Sequence, residues 1–243
     1  MRRGSDDKAG SVTRLQAVCP ESSSPTPPAR PSLPTRAPWA DPLSARDLAL
    51  IAVFAALIAA LGLVPALQPF PGIAPITAQT LGVMLAGSVL GSRRGALAVL
   101  TFLALVAAGL PLLTPSPVRP QGGLAVFASL TVGFLAGWVA GAWVIGFLVE
   151  RLPARWTYHW RLTYGYLLVA NAVGGMLVVY LFGVPTMALM GNLPFGKALA
   201  LSAVYLPGDV VKVVVSAVVT AGVLRGYPGI VPERASRKAG LPG

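Results

Sequence analysis

The chain is 243 residues long, 55% apolar and only 11% charged, a balance that soluble domains of this length rarely show and that marks an integral membrane protein. Its net charge of +11 is carried largely by arginines gathered between apolar runs, with no basic stripe interleaved with aromatics. Membrane topology therefore accounts for the charge and no nucleic-acid partner is expected. A single cysteine, Cys19, and a single histidine, His159, leave no internal disulfide, no zinc cluster of Cys or His, and no credible imidazole-assisted nucleophile. The chain is not expected to be an enzyme or to carry a cofactor or metal.

Residues 1–45 combine both charge signs with serines and a crowd of prolines. Such a segment buries too little apolar surface to offset the entropy of ordering it, so a disordered cytoplasmic tail is expected. Residues 46–225 read as a membrane domain of six transmembrane helices, all-α, and 226–243 as a short basic cytoplasmic tail.

The first apolar run spans 48–67. Along it Ala52, Ala56 and Ala60 recur every four residues, a small-residue stripe that either packs within this chain or lets a partner membrane helix approach closely. An uncharged loop rich in proline follows, at 68–75. The second run, 77–91, is short for a span and must be tilted, buried, or begun earlier in the loop. Thr77, Gln79 and Thr80 stand at its start, where Gln79 serves either as a hydrogen bonder at the helix start or as a ligand contact.

Arg93-Arg94 is read as a tight turn into the third run, 95–113, and a loop containing Arg119 leads to the fourth, 124–149. There Gly133, Gly137 and Gly141 repeat at intervals of four, the mark of a close-packing face. A charged loop precedes the fifth run, 162–184. It holds Asn171 in mid-membrane, as an interhelical hydrogen bonder or part of a polar pocket, and Tyr180 nearer its far end. Residues 185–200 are expected to be a loop. Gly191 to Lys197 spells most of a phosphate loop, but Ala198 stands where Ser or Thr would hold magnesium and no strand precedes it.

The last run, 203–224, ends at Arg225 and contains Asp209 and Lys212. An ionisable group at bilayer depth costs about 2.5–3.5 kcal/mol on insertion scales, so two of them need a use or a partner. A spacing of three places them on one helical face. Basic residues crowd the loops after runs two and four, which puts both termini in the cytoplasm and the Asp209–Lys212 pair in the outer half of a multi-pass plasma-membrane protein.

The stretch from Ala74 to Gly87 resembles the BioY family, the biotin-binding S components of energy-coupling-factor vitamin transporters. Its core is Pro75-Ile76-Thr77-Ala78-Gln79-Thr80-Leu81-Gly82, and Arg94-Gly95, Gly109-Leu110-Pro111, Gly122-Gly123 and Leu206-Pro207-Gly208-Asp209-Val210-Val211-Lys212 follow in the family's order. The resemblance covers roughly residues 48–225. It implies an S-component-like six-helix bundle that takes biotin from the outer side and works with a membrane T component and two cytoplasmic ATPases. It also makes Ala52, Ala56 and Ala60 similar to the family's partner-docking face. The chain departs from the family where Ser129-Leu130-Thr131-Val132-Gly133-Phe134 replaces Gly-Pro-Thr-Gly-Gly-Tyr, keeping Thr131 and Gly133.

Against biotin, Asp209 can accept from the ureido N–H groups and Lys212 can donate to the carbonyl or the carboxylate. Thr77, Gln79 and Thr131 complete the expected ligand set, with Arg119, Asn171 and Tyr180 as further candidates. Two other classes remain open: an S component for a different vitamin, and a proton-coupled secondary transporter with Asp209 as its titrating carrier.

Overall fold

The computed structural model describes residues 43–64, 76–116, 120–152 and 159–227. Residues 1–42 of the N-terminal tail, the whole proline loop at 68–75, Arg119 and residues 228–243 of the basic C-terminal tail lie outside the described residues. Among the described residues the architecture is all-α: α1 (Ala45–Leu61), α2 (Gln79–Leu90), α3 (Ser92–Ala107), α4 (Val132–Glu150), α5 (Trp160–Ala172), α6 (Val179–Met190), α7 (Phe195–Ala203) and α8 (Leu206–Gly226). A π-helical segment, Val173–Val178, joins α5 to α6, so that Trp160–Met190 is one rod of 31 residues. That rod, α4 and α8 are long and apolar enough to cross a membrane.

Each of the six expected apolar runs contains a helix among the described residues, but α3 stops at Ala107, short of the expected 113, and two further corrections concern other stretches. The expected loop at 185–200 is largely helix: α6 continues through Pro185 to Met190, and α7 occupies Phe195–Ala203. Pro185 removes one backbone donor, yet in a bilayer a helix remains the means of satisfying every other backbone group, and prolines are tolerated there for that reason. The fourth run is helical from Leu124, but as a 3₁₀ turn, Leu124–Ala128, with α4 proper starting only at Val132.

The end of the bundle that carries the arginines is stapled by charge. Ser44 and Asp47 form a capping box at the start of α1, with Asp47 N–H donating to Ser44 Oγ at 3.2 Å and Ser44 N–H to Asp47 Oδ2 at 3.0 Å. Asp47 also pairs with Arg94 at 2.7 Å. The turn between α2 and α3 falls at Gly91, whose φ of 87° suits glycine, two residues ahead of Arg93, so that the arginines expected to make the turn lie in the first turn of α3. Ser92 N–H, just after Gly91, donates to Glu150 Oε1 at the end of α4 over 2.7 Å.

Nine of the twelve residues of α2 are buried, so this short helix is an interior element rather than a lipid-facing span. It is walled by α1, α3, α4 and α8. The glycine face of α4 is what lets α6 and the π-helical segment lie against it. A methyl group on Gly137 would stand 2.9 Å from Val179 Cα, and one on Gly141 would stand 2.5 Å from the Gly174 carbonyl oxygen. Phe102, Val106 and Trp138 form one apolar cluster at this centre, and Met84, Ile145, Leu167 and Val213 another. Exposed valines of α8, from Val210 to Val219, form a surface that only lipid or a membrane partner would cover favourably.

Gly137→Val should overpack the α4–α6 contact and cost about 1–3 kcal/mol, seen as a lower melting temperature in detergent. Gly222→Ala, on α8 with nothing within 4 Å of the added methyl, should leave it unchanged.

Candidate ligand-binding site

Asp209 lies in the first turn of α8, where the partial positive charge of the helix N-terminus favours an anion. Pro207 precedes it in the same turn, at a position where its missing N–H costs nothing. Lys212, one turn on, places Nζ 2.9 Å from Asp209 Oδ1. The two side chains retain only 13% and 10% of their exposure, so the ion pair is largely withdrawn from solvent and needs further partners. Two other helices supply them. From α2, Thr80 Oγ1 accepts from Lys212 Nζ at 2.8 Å. From α6, Tyr180 Oη donates to Asp209 Oδ2 at 2.6 Å. Phe134 of α4 packs edge-on against the Tyr180 ring, with centroids 6.3 Å apart.

The result is a row of alternating donors and acceptors, Thr80, Lys212, Asp209 and Tyr180, drawn from three helices at one end of the bundle. Lys212 uses two of its three N–H donors in this row, and each Asp209 oxygen keeps a lone pair. An acceptor of fixed charge beside a donor of fixed charge suits a polar ligand that offers both N–H and C=O groups.

The other sequence candidates fall into different surroundings. Gln79 is fully buried. Its Nε2 donates to the Leu112 carbonyl at 3.0 Å, and its Oε1 accepts from Thr114 N–H at 3.2 Å with Thr114 Oγ1 at 3.0 Å. These contacts occupy the amide oxygen fully. Thr77 is half-buried just before α2. Thr131 stands at the N-terminus of α4 with Oγ1 3.2 Å from Ser129 Oγ, one turn ahead of Phe134.

Asn171 is fully buried and joins three helices. Its Oδ1 accepts from Ser88 Oγ of α2 and Ser216 Oγ of α8, both at 3.0 Å, and its Nδ2 donates to the Leu167 carbonyl at 2.8 Å. Arg119 lies outside the described residues. Ala52, Ala56 and Ala60 are exposed, whereas Ala55 and Ile58 point into the core, so the stripe is not consumed by packing inside this chain.

Two things escape a reading of the sequence as a set of candidates. Thr80 belongs to the charged row although its neighbour Gln79 looks the better ligand contact, and a hydroxyl on the turn below Thr77 is the only signal for it. Thr114, which is 1% exposed, fixes Gln79 from a stretch that reads as an ordinary loop.

The BioY family model matches residues 34–229. A biotin transporter BioY of Rhizobium etli is 49% identical over 193 residues, which is 79% of this chain and 100% of that one. The biotin transporter BioY of Rhodobacter capsulatus is 42% identical, covering 78% of this chain and 98% of its own length. Among solved structures, the S component for biotin from an ECF-type ABC transporter shares 30% identity with a TM-score of 0.65, over 74% of this chain and 91% of that one.

Asn171→Leu removes the acceptor shared by Ser88 and Ser216. At about 0.6 kcal/mol for each interhelical hydrogen bond in a membrane, it should cost roughly 1 kcal/mol in total, read as a lower melting temperature. The serine double replacement Ser88→Ala, Ser216→Ala should recover part of that loss in the Asn171→Leu background by removing the stranded hydroxyls.

Proposed function

The chain belongs to the BioY family, and from that premise we propose that it is a biotin transporter's S component, a membrane subunit that captures biotin through Asp209 and Lys212. It serves an energy-coupling module made of a T component and two cytoplasmic ATPases. The observation that carries the assignment of the site is the withdrawn Asp209–Lys212 pair with Thr80 and Tyr180 around it. Biotin's ureido ring presents two N–H donors and a carbonyl acceptor on a compact apolar bicycle. A carboxylate and an ammonium three residues apart on one helix face can meet that edge, the carboxylate taking an N–H and the ammonium giving its remaining proton to the C=O. Thr77 and Thr131 border the same end of the bundle and complete the proposed set, while Gln79 acts on it through the backbone it holds.

The site opens to the outer side in this reading, and both termini are cytoplasmic. Arg93, Arg94, Arg151 and Arg161 gather at the opposite ends of the helices, where positive charge marks the cytoplasmic face. The exposed alanines of α1 give the T component a flat face to pack on, far from the charged row in both chemistry and burial.

Purified full-length protein should bind biotin without ATP. Asp209→Asn should weaken binding by about 1.5–3 kcal/mol, the range for hydrogen bonds to charged groups, and Lys212→Met should weaken it as well. The double mutant should lose less than the sum, because the two side chains share one ligand. A double mutant that binds biotin like the wild type would mean that the pair only neutralises itself. Tighter binding of thiamine or riboflavin than of biotin would reassign the vitamin.

Ala56→Trp should leave biotin affinity within about twofold, well under the 1.4 kcal/mol of a tenfold change, while uptake into cells falls to background. Normal uptake together with normal co-purification of the membrane partner would remove the docking role of the stripe.

A further inference from the structure

Asn171 and Tyr180 sit on one continuous rod, Trp160–Met190, and both reach α8. Asn171 Oδ1 accepts from Ser216 Oγ, and Tyr180 Oη donates to Asp209 Oδ2. On α8 these partners are seven residues apart, about two turns, so Asp209 and Ser216 share a face. On the rod the two side chains are nine residues apart. At about 100° per residue, nine steps of α-helix end roughly 180° from where they began. An unbroken α-helix that kept Asn171 on Ser216 would therefore aim Tyr180 away from α8.

What lies between them is the π-helical segment Val173–Val178. Its i→i+5 bonds hold one more residue than an α-turn does. That residue absorbs about 100° of rotation and leaves Asn171 and Tyr180 about 80° apart, within the arc that can face one neighbouring helix. The wide turn is wedged in place by its glycines. A methyl group on Gly174 would stand 2.7 Å from the Gly141 carbonyl oxygen of α4, and one on Gly175 would stand 2.5 Å from Met84 Cε of α2.

We propose that Tyr180 is a positioning residue for the ligand pair, brought onto Asp209 by the register shift of the π-helical segment. The role rests on the biotin reading above. Lys212 holds one Asp209 oxygen and Tyr180 the other, so rotation of the carboxylate is blocked from both sides and its free lone pairs keep one direction. The ligand then meets an acceptor already aimed, and binding loses less free energy to ordering.

The test is a cycle on the full-length protein in detergent or nanodiscs, with biotin titrated calorimetrically and ligand-free melting curves recorded. Tyr180→Phe should raise the biotin Kd about tenfold in the wild-type background, a change of about 1.4 kcal/mol. In the Asp209→Asn background the same change should alter Kd by less than about twofold, since Tyr180 acts through Asp209. Deletion of Leu177, an exposed residue of the π-helical segment, should close the wide turn to α-helix while keeping both contacts. Its Kd should stay within about threefold of wild type, less than one 1.4 kcal/mol step.

An unchanged Kd in Tyr180→Phe overturns the proposal, and so do fully additive losses, which would make Tyr180 an independent contact. A deletion variant that melts normally but has lost biotin overturns the register account. If the deletion variant does not fold, the Tyr180 cycle decides alone. A wild-type protein that fails to bind biotin removes the functional reading beneath, an outcome separate from a wild type that binds and a Tyr180→Phe that binds equally.

Discussion

The ion pair of Asp209 and Lys212 sets the terms for the helices around it. Two charges taken out of water pay a desolvation cost of several kcal/mol each, and their mutual attraction offsets it only when further hydrogen bonds satisfy what remains. On a single helix the pair can satisfy itself only in part. The remainder comes from Thr80 and Tyr180 on two other helices, which requires α2 and α6 to be held at fixed distances from α8. A mutual arrangement of three helices is thereby written into one salt bridge at their common end.

Close packing is what makes those distances available. The glycines of α4 let the Trp160–Met190 rod approach until backbone meets backbone, with no room for a methyl group at Gly137 or Gly141. The same rod sends Asn171 to α2 and α8 deeper in the bundle. The three-helix contact thus recurs at two depths, once with charges and once with an amide and two hydroxyls. In lipid there is little hydrophobic drive to bring helices together, so small residues and buried polar bonds carry that task.

Much of this was legible from residue patterns. The apolar runs gave the helices, the spacing of three predicted the Asp209–Lys212 contact, and the glycine repeat marked the packing face of α4. Asn171 could be seen as an interhelical bonder because an amide in mid-membrane has few other uses. What could not be read was whatever depended on rotation or on backbone outside the pattern. Periodicity places Tyr180 on the face opposite Asn171, and a one-residue widening of the helix leaves no trace in hydrophobic spacing. Pro185 reads as a break because prolines end helices in water, where a freed carbonyl finds solvent and the chain can turn. Inside a bilayer neither compensation is at hand, and the helix continues.

Gln79 and Thr80 show why adjacent residues with similar chemistry do different things. One step along α2 turns a side chain by about 100°. That step separates a fully buried amide facing Leu112 and Thr114 from a hydroxyl facing Lys212. Thr114 Oγ1 lies 3.0 Å from Gln79 Oε1 and 3.2 Å from the Gly62 carbonyl oxygen beyond the end of α1. Through it, Gln79 fixes the first turn of α2 against two other stretches of chain. Rotation of α2 about its axis would have to break those bonds before the Thr80 hydroxyl could leave the ammonium. Of the two readings open to Gln79, helix-start hydrogen bonder or ligand contact, its bonds in the structure are those of the first, and its neighbour Thr80 meets the charge.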